Sequence, residues 1–117
     1  MTNVDSRTVR QARLTYVDRG TPMGEYQRRF WHPIAATIEF EKWPVKKVRL
    51  LGEDLALFRT ENGTIGLVGD RCPHRGASLS CAMTDGDGIR CAYHGWLYDT
   101  SGQCVDTPTE PETSRLK

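Results

Sequence analysis

The chain has 117 residues, 38% of them hydrophobic and 26% charged, with a formal net charge of +1. That length supports one domain with a single modest core, and the balanced charge argues against a nucleic-acid or membrane-surface binder. The polar start, Met1 to Asp5, and the want of any apolar run of membrane-spanning length point to a cytoplasmic protein with no membrane partner.

Residues 1–20 are polar and lead into Gly20-Thr21-Pro22, which reads as a loosely ordered lead-in ahead of a domain over residues 21–117. Pro22 suits the first position of a short helix running to about Phe30. The pattern then turns to strands. Ile34 to Phe40 is rich in β-formers, and Val48 to Leu51 follows after Pro44. Leu55 to Arg59 and Ile65 to Val68 flank Asn62-Gly63, the strongest hairpin signal in the chain. Asp85-Gly86-Asp87-Gly88 marks a turn and Ile89-Arg90 a brief strand. Trp96 to Tyr98 and Gln103 to Val105 form a further hairpin around Thr100-Ser101-Gly102. The whole predicts an all-β fold of small antiparallel sheets with one short N-terminal helix. Thr107 to Lys117, with Pro108 and Pro111, reads as a loop leaving a domain, so the chain is either naturally small or the front piece of a longer polypeptide.

Between these strands lie Cys72-Pro73-His74 and, after sixteen intervening residues, Cys91-Ala92-Tyr93-His94. A chain without a signal peptide uses cysteines as metal ligands more readily than as crosslinks. Each segment supplies one thiolate and one imidazole, the ligand set of a [2Fe–2S] centre in which histidines replace cysteines on one iron. Cys72 and Cys91 then hold one iron, and His74 and His94 the other. Two ferric ions, two sulfides and two thiolates sum to no net charge, whereas four thiolates leave an anion that resists another electron. Potentials follow that logic, at about −150 to +300 mV for mixed ligation against about −400 mV for plant-type ferredoxins. Zinc also accepts two cysteines and two histidines, but its usual spacing groups like with like. Gly76 and Gly95, just after each ligand pair, permit tight turns that aim amide N–H groups at the sulfides, beyond the ordinary role of turn glycines.

Other residues have plainer readings. Cys81 and Cys104 lack a neighbouring histidine and read as small buried hydrophobes. His32 suits packing or a backbone hydrogen bond, and Trp31 and Trp43 suit filling or covering the core. Lys42, Lys46, Lys47 and Arg49 form a basic stretch that is either a solvated strand face or a docking surface for an acidic reductase. Arg28-Arg29 has the same two readings. A metal-bound imidazole keeps a second nitrogen free, the natural exit for the electron, so Arg75, beside His74, is the better interface candidate.

The flanks CPHRGAS, from Cys72, and CAYHGWLYD, from Cys91, resemble the Rieske family. With Gly20-Thr21-Pro22-Met23-Gly24, Trp31-His32-Pro33-Ile34 and Leu51-Gly52-Glu53-Asp54, the chain is similar to the N-terminal domain of ring-hydroxylating oxygenase α subunits, particularly the phthalate dioxygenase group. The resemblance implies a Rieske fold with two cluster-binding loops and one [2Fe–2S] cluster. It also implies a reductase or ferredoxin as electron donor and a mononuclear-iron catalytic domain as acceptor. High-potential Rieske proteins carry a disulfide between the ligand loops, where this chain has Ala77 and Tyr93, and a serine where Trp96 stands. Fewer donors to the cluster disfavour its reduced, more negative state, so the expected potential is at the low end, about −150 mV, with Tyr98, which matches a family tyrosine that donates to a ligand sulfur, keeping part of the network. The chain has three histidines, His32, His74 and His94. With two on the cluster it does not supply a second, facial-triad iron site by itself, and it is not expected to be a complete oxygenase. A free-standing Rieske ferredoxin is the alternative.

Overall fold

A computed structural model describes residues 5–114. They form two compact units, one of residues up to 34 with 49–53, and one of residues 35–48 with those from 54 onward.

The first unit is built on two helices, α1 (Ser6–Thr15) and α2 (Pro22–Gln27). The expectation of a loosely ordered lead-in is corrected here. Ser6–Thr15 contains no glycine or proline, and the Asp5 carboxylate accepts from Arg7 N–H at 3.2 Å as its N-cap. Thr21 caps α2 by accepting from Gly24 N–H at 3.2 Å, and Pro22 opens the helix as its sequence predicts. A Cβ at Gly24 would strike the carbonyls of Val17 and Asp18, so only glycine fits. Arg28 is structural: its guanidinium donates to Val17 O at 2.8 Å and Leu51 O at 3.1 Å, with Glu53 3.6 Å away. His32 accordingly hydrogen-bonds to Gln27 O at 2.8 Å. Trp31, expected to fill or cover the core, is instead 101% exposed.

Seven strands make two antiparallel sheets. β1 (Val45–Leu50), β2 (Glu53–Arg59) and β3 (Ile65–Gly69) form one, in that order. β4 (Met83–Asp85), β5 (Gly88–Arg90), β6 (Leu97–Asp99) and β7 (Cys104–Asp106) form the other, also in chain order. The Asn62-Gly63 hairpin forms where expected, with Arg59 opposite Ile65 and Gly63 N–H donating to Thr60 O at 2.9 Å. Asp85 pairs with Gly88 across the second predicted turn. The Asp99 carboxylate holds the third turn by accepting from Ser101 Oγ and from the amides of Ser101 and Gln103.

Residues 34–40 depart from the expected strand. Thr37–Glu41 is a 3₁₀ helix, because Glu39 N–H reaches Ala36 O at 3.0 Å while the Glu39 carboxylate accepts from Ala36 N–H at 2.8 Å. That local closure outweighs the β-branched content of the segment. Trp43, also expected at the core, is exposed, with the Lys42 ammonium 5.9 Å from its ring centroid.

The core of the second unit contains Ala56, Phe58, Leu79, Ala82, Ile89, Trp96, Tyr98 and both motif cysteines, with Cys104 packed against it. Phe58 is fully buried with its ring over Gly66, where any Cβ would overlap it. Asp70, at the end of β3, is buried too. Its carboxylate accepts from Ser78 Oγ at 2.7 Å and Ser80 N–H at 3.0 Å, and the Lys47 ammonium lies 3.4 Å away. Burial works against its ionisation, but these donors prevail and hold the carboxyl below the usual carboxylate range. Phe58→Ala is expected to cost about 3–5 kcal/mol, as a cavity under two strands. Asp70→Ala is expected to cost about 1–3 kcal/mol, because Ser78 and Ser80 lose a buried acceptor. Denaturant unfolding measures both.

Candidate metal centre

The two motif segments form two closely similar loops. The first spans residues 72–77: Cys72 N–H donates to Ala77 O at 2.8 Å, and Gly76 N–H returns to Cys72 O at 2.7 Å. The second spans residues 91–96 and joins β5 to β6: Cys91 N–H donates to Trp96 O at 2.8 Å, and Gly95 N–H returns to Cys91 O at 3.0 Å. Gly76 and Gly95 have φ of 75° and 78°, left-handed conformations that tight closure requires. Arg71 pairs with Ser78 at the base of the first loop, and Arg90 with Leu97 at the base of the second. Strand pairing therefore fixes where each loop begins and ends.

This closure turns both cysteines into the core and leaves the histidines farther out. Cys72 and Cys91 are 3% and 4% exposed, whereas His74 and His94 are half-buried. The imidazole centroids lie 4.9 Å apart with planes at 66°. Buried Trp96 stacks on His74 at 4.3 Å and 9°, and exposed Tyr93 packs on His94 at 3.9 Å. Arg75 is exposed next to His74 in sequence.

Burial pushes the Cys91 thiol up, and adjacent Cys72 adds to that; the amides of Tyr93 and His94, directed at the Cys91 sulfur, pull the other way. The Tyr98 hydroxyl is 3.1 Å from Cys72 Sγ. Burial, then Cys72, raise that phenol, so Tyr98 keeps its proton and serves as the donor once Cys72 is a thiolate.

These residues fit a [2Fe–2S] cluster. His94 Nδ1 is buried with no hydrogen-bond partner, a costly state that an iron relieves. Two buried neighbouring thiols become thiolates readily only beside a cation. Among the described residues no three His, Cys, Asp or Glu donors converge as a single ion requires. A diiron cluster asks for two protein donors on each iron, so the donor set suits it better than one tetrahedral zinc.

The basic stretch does not stand free as a docking face. Lys46 pairs with Glu39, Lys47 with Asp70, and Lys42 lies against Trp43. Arg49 is also engaged. Cys81 is exposed, which corrects the expectation of a buried hydrophobe, while Cys104 is half-buried. Sequence reasoning missed Asp70, because a carboxylate followed by arginine gives no hint of burial. The serines at 78 and 80 were the available signal, as short donors clustered beside one acid.

Comparison with known proteins agrees with this geometry. Residues 30–117 match the family described as the Rieske [2Fe–2S] domain. The 5,5'-dehydrodivanillate O-demethylase oxygenase subunit of a Sphingobium species is 49% identical over 98 residues, covering 84% of this chain and 23% of that protein. The phthalate 4,5-dioxygenase oxygenase subunit of Pseudomonas putida is 39% identical over 106 residues, covering 88% and 24%. Among solved structures, Pseudomonas putida CBB5 NdmA with caffeine gives a TM-score of 0.69 at 37% identity, over 80% of this chain and 29% of that one. The chain spans about a quarter of the length of the curated relatives it matches. Among the described residues, no helix is long and apolar enough to cross a membrane. With this match over most of its length, two hairpin-borne loops and a donor set suited to paired irons, the chain belongs to the Rieske [2Fe–2S] domain family, whose cofactor is one cluster of that type.

Proposed function

We propose that Cys72 and Cys91 hold one iron of the cluster as thiolates, that His74 and His94 hold the other, and that the chain is the electron-entry domain of a ring-hydroxylating aromatic oxygenase. The observation that carries this reading is the pairing of two buried thiols with two outer imidazoles, one presenting a buried, unpartnered Nδ1. The oxygenase subunits among its relatives support the wider role.

When bound, the cluster takes up and returns one electron at a time, here at the low end of its range, near about −150 mV. The protein's part is to hold the donors and offset charge. Amides of Tyr93 and His94 face the Cys91 sulfur, and Tyr98 O–H faces that of Cys72, so added negative charge on either sulfur meets a fixed dipole. Trp96, stacked on His74, fixes the plane of that ring. Each ligand imidazole keeps a second nitrogen that binds a proton or a partner's hydrogen bond. Arg75 and Tyr93, both exposed beside a ligand histidine, border the face where a donor meets the domain. The donor is a cytoplasmic reductase or ferredoxin. The acceptor is a mononuclear iron in a catalytic domain, its two histidines and carboxylate supplied by residues outside this chain.

Iron and acid-labile sulfide analysis should return two of each per chain, with a mixed nitrogen–sulfur electron paramagnetic resonance (EPR) signal on reduction. His94→Cys, where the cluster survives, should lower the potential toward the all-cysteine value of about −400 mV; an unchanged potential refutes the ligand assignment. Tyr98→Phe should lower it by a smaller amount, through loss of a donor worth about 1.5–3 kcal/mol to a charged acceptor. Stripping the metal should shift unfolding to lower denaturant, since the loops then bury donors without their partner.

A further inference from the structure

The residue before each motif cysteine is an arginine, Arg71 and Arg90. Each folds back over its own loop and donates from Nη1 to the carbonyl of the glycine that closes it. Arg71 reaches Gly76 O at 3.1 Å and Arg90 reaches Gly95 O at 2.6 Å. In both loops donor and acceptor are five residues apart. With the backbone bonds already described, the same knot is tied twice: cysteine amide forward, glycine amide back, arginine across the top. The histidine sits one position later in the second loop than in the first, so the arginine contact is tied to the closure and not to the ligand spacing.

The knots differ in support. Arg90 also pairs with Asp85 at 2.7 Å and Asp106 at 3.1 Å, so its guanidinium is held from three sides. The Arg71 side chain is exposed, and among the described residues its guanidinium is paired with the Gly76 carbonyl and with no carboxylate. Gly95 directly follows His94, and Gly76 stands two residues after His74. Fixing the plane of these peptides fixes how each loop presents its donors. An arginine without a carboxylate partner also leaves a net positive charge on its loop, which favours an added electron nearby.

We propose that Arg71 and Arg90 are positioning residues, one for each cluster-binding loop, and that Arg71 also favours electron uptake through its uncompensated charge. The proposal rests on the ligand reading given above. It assigns charge and geometry to separate substitutions: glutamine at 71 removes the charge, while lysine keeps the charge and replaces the planar fork by a point donor.

The test uses the cluster-loaded chain and its Arg71→Gln, Arg71→Lys and Arg90→Lys variants, with redox titration followed by EPR and iron release to a chelator. Arg71→Gln should lower the reduced-to-oxidised ratio at fixed potential by about three- to tenfold, tenfold being about 59 mV for one electron, and Arg71→Lys should restore it. Arg90→Lys should leave the potential near wild type yet release iron several-fold faster, because a lysine does not reproduce the three-sided hold. A merely structural arginine would not produce that split. An Arg71→Gln potential equal to wild type overturns the charge role, and unchanged iron release in both Arg71→Gln and Arg90→Lys overturns the positioning role. A wild-type signal without nitrogen coupling overturns the ligand reading and the proposal together, whereas a normal wild-type signal with unaltered variants overturns the proposal alone.

Discussion

Two thiols lie side by side in a hydrophobic core, and the rest of the structure follows from what that demands. Cys72 and Cys91 are as buried as the aromatic residues around them. As neutral thiols they are small apolar side chains, but as thiolates they need positive charge and hydrogen-bond donors at once. The protein supplies donors in advance, through amides on Cys91 and a phenol on Cys72. In the proposed centre a metal would supply the charge.

Those donors are in place because of backbone geometry set well below the site. Each loop closes on itself through two main-chain bonds, and each requires a glycine in the left-handed region. Each loop starts and ends on a paired residue couple, Arg71 with Ser78 and Arg90 with Leu97, which fixes its own closure. Asp70 ties the segment after the first loop to β3 and to Lys47, and so steadies the base from which Cys72 projects.

Burial is graded across the centre, with sulfur inside and imidazole outside. The gradient gives direction to the chemistry. The inner end is shielded from solvent and faces fixed dipoles, while the outer end is half-buried. With the proposed mixed ligation the oxidised centre would be neutral, and an added electron less costly than at four thiolates. The two relatives named above are about four times longer, and their names describe a demethylation and a dioxygenation at different substrates.

Amino-acid order alone determined the features whose causes are local. The Asn62-Gly63 and Asp85–Gly88 turns, the strands around them, the cap at Thr21-Pro22 and the four proposed ligands are all written in short segments, since turn torsions and ligand spacing depend on near neighbours. The helix at Ser6–Thr15 was also encoded locally, by Asp5 and a run free of breakers, but its polarity disguised it. Tertiary structure decided what depends on distant partners: the burial of Asp70, the exposure of Trp31 and Cys81, and the stacking of Trp96 on His74. The arginine contacts over both loops became visible only when the chain had closed. Burial and side-chain contact are properties of surfaces brought together by folding, and no single stretch of residues carries them.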